Sequence, residues 1–147
     1  MCVVCVRSST EVEALLGLPS GDLRTWTQGL LITDASASDN PIVFANHAFE
    51  VLTGYAHDEA IGKNCRFLQG PGTDIMTVAK IREAVAEHRR FDGDILNYRK
   101  DGTPFWNRLA IGPVRTNSGE HRYFVGMQMD VSHEHAAHVT ARDLRKA

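Results

Sequence analysis

Two asparagines and a glutamine fall inside segments that are otherwise built for a buried sheet. Asn97 lies within Asp92–Arg99, Asn107 within Thr103–Val114 and Gln128 within Arg122–Val131, each rich in apolar and aromatic residues. A carboxamide left unpaired in a core costs about 1–3 kcal/mol. The first two segments flank Asp101-Gly102 and read as a hairpin. A two-residue turn there pairs Lys100 with Thr103 and puts Asn97 and Asn107 on opposite faces. A three-residue loop pairs Lys100 with Pro104 and sets Asn97 directly across from Asn107. Phe124, Gly126 and Gln128 share a face of the last segment, because strand side chains alternate. The amides either face solvent and one another, or converge on a planar polar partner. A heterocyclic ring edge, with alternating donors and acceptors, is such a partner.

The elements that must position these amides can be read from periodicity. Gly29–Asp34 and Ile42–Ala45 read as strands joined through the turn residues Ser36 to Pro41. A helical pattern over His47–Thr53 stops at Gly54, and single turns follow over 57–62 and 64–69. Asp74–Arg89 is the longest helix, with Ile75, Val78, Ile81 and Val85 as its apolar stripe. Ahead of these, residues 9–17 read as a short amphipathic helix. Thr10 and Glu13 have capping-box spacing, Val12, Leu15 and Leu16 form the stripe, and Gly17 ends it. The order of elements implies an α+β fold, one antiparallel sheet with helices on one face.

Composition narrows the function. The chain has 147 residues, 16 Lys+Arg against 18 Asp+Glu, and 43 % hydrophobic residues. That is one domain with a real core. Near-neutral charge gives no case for nucleic acid or an anionic membrane surface. No apolar run approaches the roughly 20 residues that span a bilayer. Three cysteines, an odd number, argue against a disulfide framework and for a reducing, cytoplasmic setting. Cys2 and Cys5 form a lone Cys-x-x-Cys without a second pair, which is weak ground for zinc or redox work.

Residues 64–70 read Asn-Cys-Arg-Phe-Leu-Gln-Gly. This string resembles the signature of the light–oxygen–voltage (LOV) photoreceptors, a branch of the PAS superfamily. Thr53-Gly54-Tyr55, Lys80-Ile81-Arg82, Asn97 to Gly102, Phe105-Trp106-Asn107 and Gly126-Met127-Gln128 match further family segments in order. The resemblance covers residues 29–132 and leaves flanks of 1–28 and 133–147. It implies a PAS-type five-stranded antiparallel sheet with N- and C-terminal flanking helices. It implies non-covalent FMN and blue-light sensing, without enzymatic turnover. By match, Cys65 is the cysteine that adds reversibly to flavin carbon 4a, and a polarizable thiol suits that role. Arg66 and Arg82 match the phosphate-binding arginines, and a phosphate dianion calls for guanidinium forks. Asn64 and Gln69 match contacts to the ribityl chain or ring edge. Asn97, Asn107 and Gln128 match the contacts to the polar ring edge, and Gln128 would reorient when N5 is protonated. Thr33, Asn46, Leu68, Leu109 and Phe124 are expected packing contacts.

Two rival readings remain at the level of sequence: a flavin redox protein using the same pocket, and a PAS interaction module without flavin. His133, His135 and His138 are expected on a solvated face of a helical tail, with no metal site. The stripe Val12/Leu15/Leu16 cannot be buried by a lone helix. It raises the expectation of a homodimer through the flanking helices, with an effector domain or protein as a further partner.

Overall fold

A computed structural model describes residues 8–18, 26–115 and 121–136. Its sheet has five strands: β1 (Gly29–Asp34), β2 (Ile42–Ala45), β3 (Phe91–Tyr98), β4 (Pro104–Arg115) and β5 (His121–Asp130). They are all antiparallel, in the order β2-β1-β5-β4-β3. β1 is buried at every position, which is why GLLITD is a continuous apolar run and not an alternating one.

On the inner face lie α2 (His47–Thr53), α3 (His57–Ala60), the 3-10 turn Cys65–Leu68 and α4 (Ile75–Ala86). Each longer segment carries its own start signal. Asn46 caps α2 by accepting from Phe49 N, and Asp74 caps α4 by accepting from Met76 N. α2 stops where Gly54 takes φ 78°, open to glycine at no steric cost. Phe49, Ile42, Leu31, Ala60 and Leu68 form the apolar cluster that binds these helices to the sheet.

The hairpin takes neither register expected from Asp101-Gly102. Tyr98 pairs with Pro104, Asn97 with Phe105 and Ile95 with Asn107. Arg99 N donates to Thr103 O, so the loop is Lys100–Gly102, one residue earlier than expected. Gly102, at φ 89°, accepts the left-handed step, and the Asp101 carboxylate binds Thr103 N and Oγ1. Asn97 and Asn107 still share a face, as diagonal neighbours.

The outer face carries the flanks. α1 (Ser9–Leu16) is capped by Ser8, whose Oγ accepts from Glu11 N, instead of by Thr10. Val12 is fully buried in a cluster with Leu30, Ile32, Phe44 and Tyr123, and Leu15 and Leu16 pack against it. The chain's own sheet covers the stripe that raised the expectation of a dimer. Residues 132–136 form a helical turn over β3 and β4. His135 stacks on Trp106 at 4.1 Å between ring centroids, and its Nε2 is 2.9 Å from Asp94 Oδ2. Arg108 bridges Asp94 and Glu134. His135 is therefore docked, not solvated. Cys2, Cys5, His138 and the rest of the tail lie outside the described residues. Among the described residues no helix is long and apolar enough to cross a membrane.

Candidate functional site

Between the inner face of the sheet, the loop after β1, the cysteine turn and α4 lies a cavity of about 510 Å³. That volume is in the range of small-molecule and cofactor sites. Twelve of the thirteen residues proposed from sequence line it: Thr33, Asn64, Cys65, Arg66, Leu68, Gln69, Arg82, Asn97, Asn107, Leu109, Phe124 and Gln128. Asn46 does not. Its Oδ1 accepts from Leu30 N and Phe49 N, and its Nδ2 donates to Gln28 O. Capping α2 onto β1 consumes its amide.

The three amides meet on one face, the arrangement a three-residue loop allows and a two-residue turn does not. Asn107 Nδ2 donates to Asn97 Oδ1 at 2.9 Å and to Gln128 Oε1 at 3.3 Å. Asn107 is 1 % exposed and Asn97 and Gln128 are 4 % and 3 % exposed. The amides therefore bond to one another, and yet the network is incomplete. Among the described residues, three buried side-chain oxygens lack a hydrogen-bond partner: Thr33 Oγ1, Asn40 Oδ1 and Asn107 Oδ1. All three residues line this one cavity. Buried polar atoms are paired in nearly all folded proteins, so orphans gathered in one cavity call for polar partners there, from a ligand or from water.

Most of the signature string has a local structural reason. Asn64 caps the 3-10 turn, accepting from Arg66 N at 3.0 Å, and its Nδ2 holds Asp39 O at 2.7 Å. Cys65 is a free thiol at the first position of the turn. Burial pushes its pKa up to about 12, so it carries its proton at neutral pH. Phe67 packs edge-on to Tyr55 with centroids 4.9 Å apart, and Leu68 is buried in the core cluster. Gly70 passes so close to β3 that a Cβ there would lie 2.4 Å from the Tyr98 ring.

Where the cavity meets solvent stand the exposed guanidinium groups of Arg66 and Arg82. Arg66 is forked onto Asp39, which holds the Asp39 carboxyl below its ordinary range. α4 turns Val78, Ile81 and Val85 toward the cavity, but Ile75 is 79 % exposed. Ile75 stands at the first position of the helix and is not among the residues lining the cavity, so the apolar stripe starts one turn later than its spacing suggested. Asp39 and Asn40 were not foreseen. They occupy the left-handed region, at φ 67° and 47°, and an Asp-Asn pair in a turn is the sequence signal for that backbone. No cluster of three or more His, Cys, Asp or Glu among the described residues is placed to hold a metal.

A five-stranded antiparallel sheet with helices enclosing a ligand-sized cavity on one face is the arrangement of PAS domains, and the PAS domain profile matches residues 27–133. The chain is 57 % identical over 105 residues to the blue-light-activated histidine kinase of Brucella anthropi, and 50 % identical over 110 residues to rice phototropin-2. The matches cover 71 % and 75 % of this chain but only 21 % and 12 % of those proteins. The LOV domain of the Erythrobacter litoralis EL346 blue-light activated histidine kinase superimposes with a TM-score of 0.69 at 42 % identity. That alignment spans 71 % of this chain and 96 % of that domain. The chain belongs to the LOV family of PAS domains.

Proposed function

We propose that this chain is a blue-light sensor that holds FMN in the inner cavity and answers light through Cys65. The observation that carries the reading is the set of three orphaned buried oxygens lining the same cavity as a protonated thiol and two guanidinium groups. When bound, a flavin supplies blue-light absorption and a ring carbon, 4a, open to attack beside a nitrogen, N5, that takes up a proton. The residues fit it. Asn97, Asn107 and Gln128 offer donors and acceptors on one face, as the polar edge of an isoalloxazine ring requires. Thr33 and Asn40 offer further acceptors, and Arg66 and Arg82 suit a terminal phosphate.

Cys65 would supply both halves of a thiol, its sulfur to carbon 4a and its proton to N5, so the step would balance without another reactant. Because burial keeps the thiol protonated, no thiolate would have to form first. In the dark the reverse would return sulfur and proton to Cys65. Gln128 lines the same cavity, with its Oε1 already engaged by Asn107. A new N–H at N5 would change what the Gln128 amide must offer, and β5 would carry that change into the sheet.

The test is optical. Purified protein is expected to be yellow, to bleach under blue light without added reductant and to recover in darkness. Cys65→Ala is expected to keep the colour and lose the reversible bleaching. Colourless protein would leave a PAS module without flavin. Yellow protein that does not bleach reversibly would favour a redox carrier.

A further inference from the structure

Asp39 belongs to no strand or helix, but it is held against the site at two points. Its carboxylate takes both terminal nitrogens of Arg66, Nη1 at 2.9 Å from Oδ1 and Nη2 against Oδ2. Its backbone oxygen accepts from Asn64 Nδ2 at 2.7 Å. Asp39, Asn64 and Arg66 all line the cavity, and the Asp39 and Arg66 side chains are 55 % and 58 % exposed. The neighbouring Asn40 is turned so that its Oδ1 is buried and unpaired in the same cavity.

The consequence is a conflict of charge. A guanidinium group presents its strongest recognition as a two-pronged fork, and this fork is filled by a carboxylate. A phosphate monoester approaching Arg66 finds a second anion already there. It must displace that anion or share the arginine with it, and like charges on one partner repel. An unphosphorylated ligand meets no such conflict. We propose that Asp39 competes with the terminal phosphate for Arg66, and so sets how strongly the site prefers a phosphorylated flavin over an unphosphorylated one. The inference rests on the flavin reading above and adds to it a residue that limits phosphate recognition.

The experiment titrates the full chain, stripped of bound flavin, with FMN and with riboflavin in parallel, following flavin fluorescence. Asp39→Asn removes the charge and keeps a side chain that tolerates φ 67°. Asp39→Gly, which the same backbone angle favours, is the second variant. Both are expected to bind FMN about three- to tenfold more tightly than wild type at low salt, with riboflavin binding within about twofold. The gain is expected to shrink in roughly 0.5 M salt, where such exposed charges are screened. Riboflavin affinity doubles as the check on folding. Unchanged or weakened FMN binding in both variants overturns the proposal, as does an equal gain for the two flavins. If wild type binds neither flavin, the flavin reading itself falls and takes the proposal with it. Wild type that binds both, with the FMN-to-riboflavin ratio unmoved by the variants, overturns the proposal alone.

Discussion

Asn107→Leu separates a ligand seat from a structural amide. Leucine keeps the branch at Cγ and the approximate volume but removes both the donor and the acceptor. In the protein alone two effects oppose each other. The orphaned Oδ1 disappears, which is favourable. Asn97 Oδ1 and Gln128 Oε1 lose the shared Nδ2, which is unfavourable. Each such gain or loss is about 1–3 kcal/mol, and two losses stand against one gain, so the unfolding free energy should fall by about 1–3 kcal/mol. Flavin binding has no such cancellation. The ring edge loses a partner at a position 1 % exposed, where water cannot substitute. A loss of about 1–3 kcal/mol corresponds to roughly 5- to 150-fold in Kd. Urea unfolding of the flavin-free protein gives the first quantity and fluorescence titration with FMN gives the second. Binding within twofold of wild type, together with a stability loss above about 3 kcal/mol, would refute the reasoning. It would show that the amide cluster serves the fold and that the orphaned oxygen marks no ligand.

Other consequences are equally direct. With the Cys65 thiol raised to about 12, its protonated form dominates throughout the neutral range, so the yield of light-induced bleaching should be flat from about pH 6 to 9. A midpoint near the ordinary thiol value would contradict this. Gly70→Ala drives a methyl into the Tyr98 ring, which Gly72 N tethers through the phenol oxygen at 2.8 Å. Thermal melts should show a loss of about 1–3 kcal/mol, with weaker flavin retention. Val12→Ala opens a cavity under α1 and should cost about 1–3 kcal/mol by urea unfolding. Deleting residues 1–18 should expose Leu30, Ile32, Phe44 and Tyr123 and raise binding of an apolar dye.

What could be read in advance divides along physical lines. The cysteine turn was legible through its resemblance to the family signature, and the structure then shows local reasons for several of its residues: a cap at Asn64, an aromatic contact at Phe67, a glycine under a ring at Gly70. The convergence of Asn97, Asn107 and Gln128 was legible as one of two outcomes, because alternation fixes the shared face only once the loop length is known, and the family resemblance favoured the shared face. Their register was not, since Asp101-Gly102 suits several loops and the Asp101 contacts with Thr103 decide among them. Asn46 could not be told from a ligand contact, because an asparagine before a helix and an asparagine beside a cofactor look alike in sequence. The apolar stripe of α1 was read correctly, and the chain's own sheet covers it, so the stripe by itself gives no ground for a dimer. Periodicity reports that a face must be covered, not which surface covers it. Asp39 escaped because its role depends on a loop meeting Arg66 from 27 residues away.

The strand order carries a consequence for how the molecule assembles. β1 with β2 and β3 with β4 are hairpins, closed by neighbours in the chain. β5 joins them through its pairings with β1 and β4, and Gly29 waits for Gln128. Chains are made from the N-terminus, so the two hairpins emerge while the strand between them is still missing. Pairings that distant are slow to find, because loop closure must precede any reward. Until then the edges of β1 and β4 stand open to other chains, the situation that favours mispairing. The last strand therefore acts as a clasp in folding, and the residue expected to feel the flavin arrives with the piece that makes the sheet whole.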